Sequence, residues 1–270
     1  MIEALARRSG PRSLTMTQDI TRLLADWDYE PGELHVRKID GDDGEPKIQI
    51  RMDLGLMQLA WQGRPDGTRP HDTDSLLTYF RAQQAEHESE STEPYLMSRE
   101  QCWALGQEAL QYYWRRISFF ELQEYAAAEA DADHNLEILD ICEHHAEHEE
   151  DRQLADQYRV FVTSHRVQAR ALSMLDKESH TDALVEIREG IETVEGLLRD
   201  LGDPEALDNS PELQYLRQWA DEVEGTQPLT EVEQLRVDLK QAVEREQFER
   251  AASLRDELKE FDNQDQGTKN

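Results

Sequence analysis

The chain has 270 residues, enough for one large or two to three small domains that each bury a core. It carries 59 Asp and Glu against 29 Lys and Arg, a formal charge of −30. Nucleic-acid binding draws most of its free energy from Lys and Arg on phosphates, and here those residues are scattered and mostly sit beside acids, so direct nucleic-acid binding is not expected. Two cysteines, Cys102 and Cys142, cannot make a disulfide framework. No run approaches the ~18 apolar residues of a membrane span, and the first fifteen lack the apolar stretch of a signal peptide. The expected location is the cytoplasm.

In chain order, residues 1–15 are expected to form a disordered tail and 16–84 a small α+β domain. A short helix is predicted over 18–27. Three alternating runs follow: Leu34 and Val36; Ile48, Ile50 and Met52; Met57, Leu59 and Trp61. Period-two alternation marks half-buried strands. Gly41-Asp42-Asp43-Gly44 and Asp53-Leu54-Gly55 supply the turns. The predicted meander needs a cover on its open face, from the flanking helix or a second copy of the chain. A helix is predicted from about Asp74 through Leu76, Leu77 and Phe80, then a loose polar linker over 85–94.

Residues 98–201 read as helix almost throughout, divided at about 99–122, 125–146, 150–176 and 180–200. Ser98 with Gln101 is a capping box, and Ser179 with Asp182 a weaker one. Trp103, Tyr112, Tyr113, Phe119 and Phe120 are expected inside the first helix. Leu184, Ile187, Ile191, Val194 and Leu198 are expected inside the fourth. The stretch from Arg116 to Tyr125, with Ala128 and Asp131, resembles a tetratricopeptide (TPR) unit. A looser copy runs from His165-Arg166 through Ala169, Ala171, Leu172, Ala183 and Leu184 to Gly190. No Pro closes either unit, so a plain four-helix bundle stays open beside the TPR-like reading.

Gly202-Asp203-Pro204 breaks the helix, and Ser210-Pro211 starts a linker helix over 210–225. A hinge follows at 226–229. Thr230 with Glu233 is a capping box, and Val232, Leu235, Leu239, Ala242 and Val243 form one stripe. Phe248, Ala251, Ala252, Leu254, Leu258 and Phe261 form a second. Two stripes joined by a short turn predict an antiparallel helical hairpin over 229–262, too small to be robust without a partner.

The run Ala242-Val243-Glu244, Glu246, Phe248-Glu249, Ala251-Ala252, Leu254-Arg255-Asp256 and Leu258 resembles the UvrB/UvrC (UVR) motif. The resemblance implies a non-catalytic docking hairpin, as in the UvrB and UvrC subunits of the excision-repair nuclease, the stress regulator McsA and ClpC-type unfoldases. It implies a protein partner of UvrA, UvrB, UvrC or Clp type, with Phe248, Ala251, Ala252, Leu254, Arg255, Asp256 and Leu258 as contact residues. No Walker A loop, nuclease domain or paired C-x-x-C zinc site accompanies it. The expected fold is therefore mainly α, with a small N-terminal antiparallel β element, TPR-like hairpins or a four-helix bundle, and a C-terminal UVR hairpin. The expected function is an adaptor, not an enzyme, with no cofactor; self-association is a further expectation.

The competing reading is a metal-binding sensor or metal-dependent hydrolase. It rests on Cys142, His144, His145 and His148, which helical spacing places one turn apart. A tetrahedral site would need a further segment, and a polar helix end explains the cluster equally well.

Overall fold

The computed structural model describes residues 19–202, 205–226, 231–245 and 247–267, without the side chains of 154–157, 231–234, 236–237, 244, 251 and 259–267. The expected tail at 1–15, the capping box at Thr230, and the side chains of Val232, Ala251 and Phe261 lie outside the described residues. The protein is mainly helical with one three-stranded antiparallel sheet. It divides into two compact units, one ending at Ala169 and one starting at Arg170.

In the first unit, the helix expected at 18–27 is a single turn, α1 (Thr21–Leu24). Its start is tied locally, by Asp19 Oδ1 accepting from Thr21 N at 2.9 Å. The meander follows as predicted: β1 (Val36–Asp40), β2 (Pro46–Met52) and β3 (Gly55–Ala60), in that order. Gly44 turns the first hairpin at φ +79, where a side chain would be strained. The register sets Ile48 opposite Leu59 and Ile50 opposite Val36 and Met57. Ile48, Ile50 and Leu59 are buried with Phe119, Ala128 and Ala169. The cover is therefore neither α1 nor a second copy, but the long helices that follow. The other face carries a polar ladder across the register: Arg37 Nη2 donates to Gln49 Oε1 at 2.7 Å, and Gln49 Nε2 to Gln58 Oε1 at 2.8 Å. The Arg37 guanidinium lies 4.0 Å from the Trp27 ring centre, so Trp27 shields that ladder.

α2 spans Leu76–Glu90, with Ser75 capping it by accepting from Thr78 N at 3.0 Å. The linker expected over 85–94 is thus half helix. Its composition is polar, yet Ala and Glu are strong helix formers on a solvated face. The chain then enters α3 (Arg99–Glu121), opened by the predicted Ser98–Gln101 capping box. α4 (Tyr125–His145) and α5 (Glu149–Leu175) complete the helices of this unit, α5 running on past Ala169. Leu105, Ile138 and Ile141, with Met97, Phe80 and Val162, fill a core cluster, each buried aliphatic stabilising by roughly 1.5–3 kcal/mol.

A polar hub locks this core. Glu108 is fully buried on α3 and accepts from Leu76 N at 2.8 Å, Leu77 N at 3.1 Å, Arg64 Nε at 2.9 Å and His134 Nε2 at 3.1 Å. Burial alone would raise its carboxyl, but the donors from His134, Leu76 and Leu77 outweigh it and hold the group below its usual range. Beside it, Arg115 grips Asp131 with two bonds of 2.7 and 2.8 Å and donates to Gly63 O at 2.7 Å. These contacts join α3 to α4 and to the loop after β3.

In the second unit, α6 (His180–Asp200) buries Ala183, Leu184, Ile187, Val194 and Leu198 as predicted, with Ile191 half-buried. Ser179 does not cap it; its hydroxyl donates to Asp182 Oδ2 at 2.5 Å instead of accepting a backbone N–H. After Gly202 and the short α7 (Ala206–Asn209), Ser210 caps α8 (Pro211–Thr226) by accepting from Leu213 N at 3.2 Å. α8 packs on α6 through Ala220 and Val223.

Candidate docking hairpin

The last two helices are α9 (Glu231–Glu244) and α10 (Phe248–Gly267), packed on each other as the two-stripe pattern predicts. The turn between them closes by backbone bonds: Arg245 N donates to Gln241 O at 3.0 Å and Gln247 N to Ala242 O at 2.8 Å. Ala242 and Leu254 are buried, and Leu235 and Leu239 are packed against them. Leu258 is half-buried.

Among the described residues, two large apolar side chains are not used inside the hairpin. Phe248 is 70 % exposed and Val243 53 % exposed. They bracket the turn, Val243 near the end of α9 and Phe248 at the first position of α10. The expectation that Val243 lies on the inward stripe is therefore corrected, and Phe248 is not sandwiched between the helices. Val243 is one residue past Ala242, and Phe248 is six before Leu254, which at about 100° per residue turns each of them roughly 100–120° away from its inward neighbour and toward solvent. Ala252 is exposed as well. Arg255 and Asp256 pair at 3.4 Å with both side chains more than half exposed, a solvated contact that adds little stability. Of the predicted contact residues, Phe248, Ala252, Arg255 and Asp256 are thus presented to solvent, whereas Leu254 holds the hairpin together.

The metal candidates do not converge. His144 Nδ1 donates to Asp140 O at 2.8 Å and His145 Nδ1 to Tyr95 O at 3.2 Å, both backbone carbonyls. His148 is exposed, and Cys142 is buried in the α3–α4 core. It meets Cys102 there, and their interaction lowers the Cys102 thiol and, with burial, raises that of Cys142. The separation of the two cysteines in sequence gave no sign of this meeting. Among the described residues, ligand atoms of three such groups come within 4.8 Å of one another only at Glu30, Glu33 and His35. That group is a product of the Pro31-Gly32 turn, with Gly32 at φ +90, and both glutamates are exposed.

Comparison with known proteins gives one match. The family model of the UvrB/uvrC motif matches residues 230–264, which covers α9 and most of α10. No curated protein and no solved structure matches the chain.

Proposed function

We propose that this protein is a non-enzymatic adaptor of the cytoplasm that captures a protein partner through the turn end of its UVR hairpin. The observation that carries the reading is Phe248. A phenylalanine 70 % exposed at the first position of α10, beside an exposed Val243, is unexplained by the hairpin's own packing. An aromatic ring presented this way is the usual anchor of a protein interface. The UVR motif is itself associated with protein interaction and repair, and the partners that fit are a UvrA-, UvrB- or UvrC-type repair component or a Clp-type proteolysis component. The long helices of the first unit, read as TPR-like, would serve a second partner, so that the chain links two proteins. The metal-sensor alternative receives no support from the geometry, since its four candidate ligands point to separate surroundings.

Purified UvrB- and UvrC-type proteins and a Clp-type unfoldase from the same cell, titrated against the full chain, test this. A micromolar complex is worth only about 8 kcal/mol. A charge at the anchor, left unpaired in the contact, costs several kcal/mol. Phe248→Glu is therefore expected to abolish binding, and Ala252→Arg to weaken it. Unchanged affinity in both variants overturns the hairpin as the docking element.

A further inference from the structure

We propose that the outer face of α3 is a self-association surface, on which two copies of this chain meet through Trp103, Gly106, Gln107 and Leu110. One charged residue occurs between Gln101 and Trp114, and it is Glu108, which is fully buried. In a chain that is 33 % charged, the exposed side of this stretch is therefore free of charge for about four turns. Trp103 and Leu110 are 67 % and 47 % exposed. With Gln107 and the half-buried Trp114 they fall within one narrow stripe at 100° per residue. Gln111, whose amide reaches Asp66 at 3.3 Å, marks one border of the stripe.

Gly106 adds an independent argument. A glycine inside a helix is destabilising relative to alanine, and here a Cβ would meet nothing within 4 Å. No contact within the chain requires the missing side chain, and it borders the charge-free stripe on the side opposite Gln111. Small residues at such positions let a second helix approach closely.

The charge selects the occupant. Two molecules of net charge −30 repel wherever acidic faces meet, and a basic partner is drawn to those faces and not to this one. A two-fold contact presents the same patch from both sides, so the neutral stripe of one copy faces the neutral stripe of the other. A two-fold axis passing between Gly106 and Gln107 sets Trp103 of each copy against Leu110 of the other. The stripe is short, so the dimer is weak, in the range of tens of micromolar. Because the surrounding charges repel, it tightens as salt is added, the opposite of a contact made by ion pairs.

Sedimentation velocity of the full chain from about 5 to about 500 µM, at low and high salt, tests the proposal. The expected result is a concentration-dependent dimer, stronger at high salt. Trp103→Glu and Leu110→Glu each set two like charges near the axis and are expected to weaken it by roughly 100-fold. Gly106→Leu is the control for structural damage. It has room in the single chain and favours helix, so it is expected to keep or raise the melting temperature while dimerisation is lost. A chain that stays monomeric throughout overturns the proposal. So does a dimer that these three variants leave intact, or one that only Phe248→Glu dissolves, which would place the contact at the hairpin.

Discussion

Arg116 is fully buried on α3, and its nearest polar partner is a histidine instead of a carboxylate: Nε donates to His165 Nδ1 at 3.2 Å. The aromatic rings of Tyr113 and Phe161 lie 5.7 and 6.0 Å from the guanidinium. Burial lowers Arg116 to about 10, which still leaves it cationic at neutral pH. His165 must then offer a lone pair at Nδ1, and burial together with the Arg116 charge pushes it down to about 4. Its folded value thus lies below the unfolded one near 6.5, so the unfolded chain binds the extra proton between them. Stability is complete above about pH 6.5 and is lost as pH falls toward 4, by about 3 kcal/mol across the window. Melting temperatures measured between these limits check this: His165→Asn, which cannot titrate, is expected to flatten the slope. A slope identical to that of the native chain assigns the acid sensitivity elsewhere. Glu108 is shifted in the same direction, being held below its usual range, so its contribution is also lost as pH falls, but only below about pH 4.5. Glu108→Ala leaves the Leu76 and Leu77 N–H groups without their acceptor and takes a buried carboxylate from Arg64, which keeps only Asp66 and Thr68; it is expected to cost about 3–5 kcal/mol in denaturant unfolding.

At the scale of elements, the hairpin separates two kinds of apolar residue that look alike in sequence. Leu254 is 8 % exposed and packs with Ala242. Leu254→Ala is therefore expected to remove helical signal from α9 and α10, whereas Phe248→Ala leaves it unchanged and loses only the partner. Circular dichroism of a fragment is not needed; the difference spectrum of the full-length variants suffices. The same distinction explains what the sequence could and could not disclose. The strands and their alternating faces, the helix limits from 99 to 200 and the Ser98 cap were legible because alternation, 3.6-residue periodicity and capping chemistry are local. Which side of α3 faces inward was legible only in part: Tyr112 and Phe119 are buried as expected, but the expectation for Trp103 is corrected, since it is 67 % exposed. Cys102, Leu105, Tyr112 and Phe119 make one apolar face and Trp103 and Leu110 another, and only tertiary packing chooses between them. The meeting of Cys102 with Cys142, and of Glu108 with the start of α2, depends on how residues 31 to 40 apart in sequence are brought together, which no spacing rule encodes. The hairpin's identity was legible from its dense run of motif residues, but the exposure of Val243 and Phe248 depends on where the contact through Ala242 and Leu254 falls.

At the scale of the whole molecule, charge dominates. The formal −30 exceeds what the observed pairs can offset, since contacts such as Arg99–Glu150 at 2.8 Å and Arg188–Glu224 at 2.9 Å are exposed. Each exposed pair is worth at most about 1 kcal/mol and is screened by the same salt that screens the net repulsion. Repulsion among the excess acids therefore decides the sign, and the melting temperature is expected to rise between about 0.02 and 0.5 M salt. A fall would mean that the surface pairs outweigh the net charge. The same field governs nucleic acid. The hairpin over 229–262 holds six Lys and Arg against ten Asp and Glu, a net of 6 − 10 = −4, so the module offers no basic face to a phosphate backbone. A fluorescence-anisotropy titration of labelled duplex DNA at about 0.15 M salt is expected to show no saturation. Saturable binding there would mean that the UVR hairpin contacts DNA despite its charge, and the adaptor reading would have to give way to a nucleic-acid-bound one.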